Sequence, residues 1–350
     1  MAAIALVDTP SVIAQPKIQW RMSTAFTPAL DVHQGAAQRL AKIVEETSGG
    51  RFKIDVFPGG QIMQPFDCFD AASQGTIEAF MSNSYYWTAR KNEPAFEWFS
   101  TVPFGMNPEG MEAWFYQGDG LTLWEELYAT FNLVPRPGPG VAPQMAGWFR
   151  KKTSTIADFK GLRMRIGTGL GGKVYVRAGG TAALTPGGEI YAELERGVID
   201  AAEWIGPHDD MVLGLHKTAR HYYNPGWHEP GTMVEFGFNK KAYNALPVDL
   251  RRTLDHAAAA VVVYGSSDFH AKNAVALGRL KTDFKGQVEV IQLPAPVLRE
   301  LRKLAAEVIS EESEKTPMAR KVHASYTKFQ ASVGPWDHVA EGAYHQLVAG

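Results

Sequence analysis

The sequence is short of cysteine, of charge of one sign and of long apolar runs, and each shortage removes a class of protein. A single cysteine, Cys68, in 350 residues excludes an intramolecular disulfide and any cysteine-built zinc site. Its neighbours Phe66 and Phe69 mark it as a small buried residue rather than a nucleophile. Lys plus Arg (35) nearly cancels Asp plus Glu (37), leaving a formal charge of −2. No basic excess is left to hold a polyanion by counterion release, so nucleic acid and anionic membrane surfaces are not expected partners. The longest uncharged apolar run at the amino end, Met1–Val7, falls far below the roughly 20 residues of a membrane span. The ten histidines form no H-E-x-x-H, no G-x-S-x-G occurs, and no pair of acids is singled out for hydrolysis. His208-Asp209-Asp210, the nearest thing to a ligand cluster, reads as a solvated turn.

A core, by contrast, is amply provided for. Hydrophobic residues make up 45% of the chain and aromatics 11%, while 34 glycines and 21 prolines stay below the range of disordered or collagen-like chains. At roughly 100–200 residues per domain the length predicts two domains, and two domains imply a cleft.

The patterning predicts an α/β fold. Lys17–Phe26 reads as a strand; Asp31–Ser48 places Ala37, Leu40, Ala41 and Val44 on one helical face before Gly49-Gly50; Phe52–Phe57, a helix over Pro65–Gln74 and a strand Thr76–Met81 follow. This βαβαβ run predicts a parallel sheet with its loops gathered at the strand carboxyl ends. The pattern returns after about residue 140: strand Leu162–Ile166, helix Lys173–Ala178, a strand near Ala182–Thr185, helix Glu189–Arg196 and strand Ile199–Trp204. Gly59-Gly60-Gln61-Ile62, a helix, then Gln74–Ala79 parallels Gly187-Gly188-Glu189-Ile190, a helix, then Arg196–Ala201, which points to two similar lobes. Proline-stiffened Pro135–Pro143 is the expected first crossing between lobes and Tyr222–Gly231 the second; long helices over Val248–Lys281 and Pro296–Glu314, with a strand at Val288–Gln292, fill the remainder.

Gly167-Thr168-Gly169-Leu170-Gly171-Gly172 satisfies G-x-G-x-x-G between a strand and a helix, the context of a dinucleotide site. Against that reading, Arg163 and Arg165 sit in a strand that should be apolar, and no acidic residue closes a strand about 20 residues on. The competing readings are a NAD(P)-dependent oxidoreductase built on this loop and a flexible loop beside a ligand cleft.

Polar and aromatic residues concentrate at predicted strand ends: Tyr85-Tyr86-Trp87, Gln144, Arg165, Glu203-Trp204 and Trp227-His228-Glu229. The ordered set PQMAGWF (143–149), FKGLRMRIG (159–167), GGEIYAELERGVIDAAEW (187–204) and YYNPGWHEPG (222–231) resembles the DctP-type solute receptors of TRAP transporters, most of all the 2-oxo-acid-binding (pyruvate-type) receptors and their lactate-binding relatives. The likeness runs from about Lys17 to the carboxyl end; Asn224 stands where an aromatic is expected. It implies a two-lobed periplasmic-binding-protein-like fold with two crossings, long connecting helices and a C-terminal helix. Residues 17–140 with 225–265 are expected to form lobe I, 141–224 with 266–330 lobe II. The implied protein is no enzyme: it is a periplasmic receptor that closes on a small 2-oxo or 2-hydroxy monocarboxylate and serves membrane permease subunits.

The resemblance also implies roles. Arg165, the arginine of K-G-L-x-x-R, pairs with the ligand carboxylate, where a planar guanidinium can give two parallel bonds. Gln144, Glu203 and the Trp204 carbonyl hold Na⁺ or Ca²⁺, an all-oxygen set suited to a hard cation, with Gln144 also near the ligand and no nucleotide involved. Tyr86, Trp204 and Trp227 wall the site, and Glu229 lies near the cation or ligand.

Two expectations concern the termini. Residues 1–16 read as the remnant of an export signal, with a plausible cut between Ala14 and Gln15, or else as a frayed end. At the other end, Trp336, Val339, Ala340, Ala343, Tyr344, Leu347 and Val348 form one apolar stripe on a helix over 335–350, opened by Pro335 after a flexible Ser332-Val333-Gly334. The stripe is covered either by its own lobe or, as in the receptors the chain resembles, by a second protomer in a helix-swapped homodimer.

Overall fold

The structure, a computed structural model, describes residues 17–348; the expected signal remnant lies outside the described residues. Two sheets organise the chain. The first has the order β2-β1-β3-β10-β4, from β1 (Ile18–Thr24), β2 (Phe52–Phe57), β3 (Ala79–Ser82), β4 (Leu133–Gly140) and β10 (Met233–Asn239). The second has the order β11-β9-β5-β8-β6-β7, from β5 (Gly147–Phe149), β6 (Arg163–Arg165), β7 (Thr181–Ala183), β8 (Ala201–Ala202), β9 (His221–Asn224) and β11 (Glu289–Gln292). Each sheet begins as a parallel βαβαβ unit with its first strand in the middle, β2-β1-β3 and β7-β6-β8, as the two matching sequence patterns predict.

The sheets are not wholly parallel. In each, the strand that enters from the other lobe, β10 or β5, runs antiparallel to both its neighbours. The chain passes from the first lobe to the second between β4 and β5, returns between β9 and β10, and, beyond the two expected crossings, passes to the second sheet once more between β10 and β11. A fold of this kind brings the loops at the strand ends of both sheets to one cleft.

The proline-rich stretch corrects the sequence reading. Leu133–Gly140 is a strand paired with β10, and the crossing starts only at Val141. Proline is excluded from central strands because it cannot donate to a ladder, but β4 is an edge strand; Pro135 and Pro137 fall on the same side of its two-residue repeat, and Pro139 lies where the register with β10 shifts. The 35-residue helix Val248–Thr282 braces β4: a Cβ at Gly265 would lie 2.3 Å from the Pro139 ring, so only glycine allows the approach. This helix also packs on Asp31–Thr47 of the first lobe and Pro207–Val212 of the second.

The carboxyl end departs from expectation as well. Helix Pro317–Asp337 runs unbroken through Ser332-Val333-Gly334, so there is no flexible joint before Pro335. The bond that Pro335 cannot give is absorbed inside the helix, and a wide π-type turn at His338–Gly342 follows before the last helix, Ala343–Val348. The apolar stripe lies uncovered: Trp336 is 69% exposed and Leu347 79%.

Candidate functional site

A small cavity lies between the sheets, lined by residues of both lobes and of the crossings: Asn83, Tyr85 and Tyr86 after β3; Arg165 at the end of β6; Trp204 after β8; Gln144 and Thr232 in the crossings. Its free volume for water centres is about 10 Å³, room for about one water.

Arg165 is 1% exposed. Its Nη1 donates to the Glu203 backbone oxygen at 2.9 Å and to Glu203 Oε1 at 2.7 Å, and its Nε donates to the Thr185 carbonyl at 3.2 Å. The guanidinium carbon stands 4.7 Å from the centre of the Trp204 ring. Only Nη2, buried, has no partner. The two-bond fork expected toward a ligand is therefore not available: the Thr185 carbonyl, after β7, holds Nε and Glu203, after β8, holds Nη1, so one terminal nitrogen remains.

Glu203 is wholly buried, its Oε1 accepting from Arg165 Nη1 and from the Gly167 amide at 3.0 Å. Burial works to raise its pKa, but the Arg165 guanidinium and the His228 ring outweigh burial and hold the carboxyl below its usual range. Its Oε2 accepts no hydrogen bond; His228 Nε2 is 3.5 Å away. Gln144, 4% exposed, donates from Nε2 to Glu229 Oε2 at 2.8 Å, which leaves its Oε1 buried and unpartnered. Thr232 also donates to Glu229 Oε2, at 2.7 Å. Glu229 is pushed up to about 7 by burial and by the charge of Glu203, against His228 and Arg165.

Of the residues singled out from the sequence, Arg165, Trp204, Gln144 and Tyr86 line the cavity, and Glu203 and Glu229 join it through Arg165 and Gln144. Trp227 does not. Its ring stacks on Phe104 at 6.0 Å and faces an outer groove with Arg302, so it is no wall of the cleft.

The sequence reading names His228 with Trp227 and Glu229 but gives it no role. Glu203, His228 and Glu229 bring potential ligand atoms within 4.8 Å of one another, and both His228 nitrogens are buried without a hydrogen bond. Passed over was His33, which lines the cavity with Nδ1 3.7 Å from Asp209 Oδ1. The His208–Asp210 segment is no solvated turn: Asp209 and Asp210 are buried. Asp210 accepts from Trp148 Nε1 at 2.9 Å, Tyr222 Oη at 2.7 Å and the Ile205 amide at 3.1 Å. Burial pushes it up to about 7. Trp148 and Tyr222 come from β5 and β9, which local patterning does not reveal.

The uncommitted atoms test the expected cation. Gln144 Oε1 is a buried amide oxygen without a donor, and Glu203 Oε2 is a buried carboxylate oxygen with no hydrogen bond and the His228 ring at 3.5 Å; this chemistry fits a hard ion that takes oxygen ligands. The glycine loop does not fit a dinucleotide. Glu97 Oε2 already accepts from the Leu170 amide at 2.7 Å, so a carboxylate occupies the helix start that a pyrophosphate needs.

The chain is similar to known proteins over most of its length. A family model described as bacterial extracellular solute-binding protein, family 7 (DctP), matches residues 22–316. A monocarboxylate 2-oxoacid-binding periplasmic protein of a Nostoc species is 36% identical over 334 residues, covering 95% of this chain and 90% of that protein. The structure superposes on a TRAP transporter solute-binding protein of Bordetella bronchiseptica, a mixed-occupancy dimer with copurified calcium and picolinate in one site and the other apo. The TM-score is 0.91 at 36% identity over 95% of this chain and 97% of that one. A TRAP periplasmic solute-binding protein of Pseudoalteromonas atlantica with bound sodium and pyruvate gives a TM-score of 0.90 at 34% identity, covering 94% of this chain and 99% of that one.

Proposed function

The chain belongs to the bacterial extracellular solute-binding proteins of family 7, the DctP receptors of TRAP transporters, and from that premise we propose how its cleft holds a ligand: a small 2-oxo or 2-hydroxy monocarboxylate bound together with Na⁺ or Ca²⁺. The protein is a receptor and not an enzyme; it works outside the cytoplasm and delivers its ligand to membrane permease subunits. The oxidoreductase alternative has no support.

One observation supports the reading: Nη2 of Arg165 and Oε1 of Gln144, buried and without a hydrogen bond, belong to two residues that line one cavity, and Arg165 is paired with Glu203, whose Oε2 has only the His228 ring facing it at 3.5 Å. The first is a cationic donor matched to a carboxylate; the other two are oxygens matched to a hard cation. Gln144, Glu203 and the Trp204 carbonyl would hold the ion. When bound, the cation supplies a Lewis-acidic centre that the carboxylate and α-oxygen of the acid chelate together, which favours 2-oxo and 2-hydroxy acids over plain ones. Trp204 and Tyr86 exclude water.

In our assignment residues 17–140 with 225–265 form lobe I and 141–224 with 266–330 lobe II. Tyr86 then meets the ligand from one lobe, Arg165 and Glu203 from the other, and Gln144 and Glu229 from the crossings. A ligand that touches all of them binds the closed form better and shifts the equilibrium toward it. We assign the exposed stripe of Trp336, Val339 and Leu347 to a homodimer in which the C-terminal helix covers a neighbouring protomer.

Thermal unfolding with pyruvate, lactate and 2-oxobutyrate, each with Na⁺ or Ca²⁺, tests the reading. A short acid at 100 times its Kd should add about 2.7 kcal/mol of stability. Stabilisation by NAD(P) and by no short acid would overturn it.

A further inference from the structure

The glycine loop that mimics a nucleotide motif meets the opposite lobe at Gly167 and Gly169 and the second crossing at Gly171. A Cβ at Gly167 would lie 2.7 Å from the Tyr85 ring, and one at Gly169 would lie 2.1 Å from Glu97 Oε2. One at Gly171 would lie 2.9 Å from the His228 Cβ, on the second crossing. None of these glycines has the positive φ that would call for glycine on backbone grounds, and Gly169 has φ −66° and ψ −158°. What the loop lacks side chains for is contact. Tyr85 and Glu97 follow β3 on the first lobe, while the loop joins β6 of the second lobe to helix Leu170–Arg177.

Glu97 is the central contact. It is 1% exposed and belongs to the turn Pro94–Glu97, which Ser84 Oγ ties to its own lobe by a 2.7 Å bond to the Phe96 carbonyl. Its Oε2 accepts from the Leu170 amide at 2.7 Å, the first turn of the helix, where a carboxylate also meets the positive end of the helix dipole. Its Oε1 faces Lys173 Nζ at 3.4 Å, and Lys173 pairs in turn with Glu312 Oε2 at 3.0 Å. A carboxylate is buried at this place only while the other lobe supplies the amide and the ammonium; when the lobes part, both sets of groups return to water.

We propose that Gly167–Gly172 is the seam on which the lobes close and that Glu97 is its latch, a positioning residue that does not touch the ligand but sets how long the closed form lasts. The proposal rests on the receptor reading. The observed affinity of a closing receptor scales with the population of its closed form, and most of such an effect appears in the dissociation rate.

The test is Gly169→Ala, whose methyl group collides only with the opposite lobe, and Glu97→Gln, which keeps an acceptor for the Leu170 amide but loses the charge that pairs with Lys173. Pyruvate with Ca²⁺ is the probe, and spin labels on exposed Gln74 and Lys160 read the distance between lobes. Gly169→Ala should weaken pyruvate binding by at least about tenfold and remove the short lobe-to-lobe distance, with the melting temperature of the ligand-free protein unchanged. Glu97→Gln should speed pyruvate release by roughly threefold to tenfold with little change in the association rate. Wild-type affinity and wild-type distances in Gly169→Ala would overturn the seam, as an unchanged release rate in Glu97→Gln would overturn the latch. If the wild-type protein binds no short acid, the receptor reading falls; the ligand-free distance distributions still decide the seam, which equal distributions in wild type and Gly169→Ala overturn.

Discussion

Replacing Arg165 by lysine keeps the charge and removes the geometry. Arginine serves three acceptors of its own lobe, the Thr185 carbonyl and the carbonyl and Oε1 of Glu203, and still presents Nη2 without a partner. A lysine carries its three protons on one nitrogen and cannot reach the Glu203 side and the former Nη2 position together. The bond lost is a buried, charge-assisted one to the ligand carboxylate, about 1.5–3 kcal/mol, which is roughly 10- to 150-fold in Kd. Stability should fall as well, since the Thr185 bond and the contact with the Trp204 ring at 4.7 Å are together worth about 2 kcal/mol. Calorimetric titration of Arg165→Lys with pyruvate in excess Ca²⁺, beside its melting curve, separates the two effects. Binding within about twofold of wild type in a variant that is folded at the titration temperature would refute the reasoning.

Glu203→Gln removes the charge facing the cation while leaving an acceptor for the Gly167 amide; at an effective dielectric of about 20 a unit charge 4 Å away is worth about 4 kcal/mol. Cation-dependent pyruvate binding should therefore weaken by about 100-fold or more, and a variant with unaltered cation dependence would count against the assignment. Glu235, wholly buried and accepting from Trp87 Nε1 at 2.7 Å and from Tyr128, is pushed up to about 8 by burial. Its folded form keeps a proton that the unfolded chain releases near pH 4.5, so its contribution is present below pH 4.5 and fades as pH rises toward 8. Glu235→Gln should thus gain on wild type in melting temperature between pH 5 and pH 8, and a difference that is flat with pH would contradict this. Full-length protein should scatter light as a dimer and a chain stopped at Gly334 as a monomer; a full-length monomer at tens of micromolar rules the dimer out.

What the sequence revealed and what it hid divide along one physical line. Periodicity and glycine stops gave both βαβαβ units, because those signals are local. Pro135–Gly140 was misread because proline's cost in a strand depends on whether the strand lies at an edge, and β10, almost a hundred residues later, decides that. Residue types marked Arg165, Glu203 and Gln144, but the atoms left free on each follow from carbonyls and amides at Thr185, Gly167 and Glu229, which no spacing rule supplies. The glycine loop has the spacing and the strand-to-helix setting of a nucleotide site, though not its apolar strand or its acidic strand end; Glu97, more than seventy residues upstream, fills the place of the phosphate. Histidines were the least legible, since His228 and His33 owe their burial wholly to tertiary neighbours.

The cation is the centre of the account, and calorimetric titration of chelator-stripped wild-type protein with pyruvate tests it most directly. Binding should be lost or strongly weakened in buffer free of Na⁺ and Ca²⁺ and return when either ion that fits Glu203 Oε2 and Gln144 Oε1 is restored. The same affinity for pyruvate before stripping, after stripping and after exchange of the ions would contradict it.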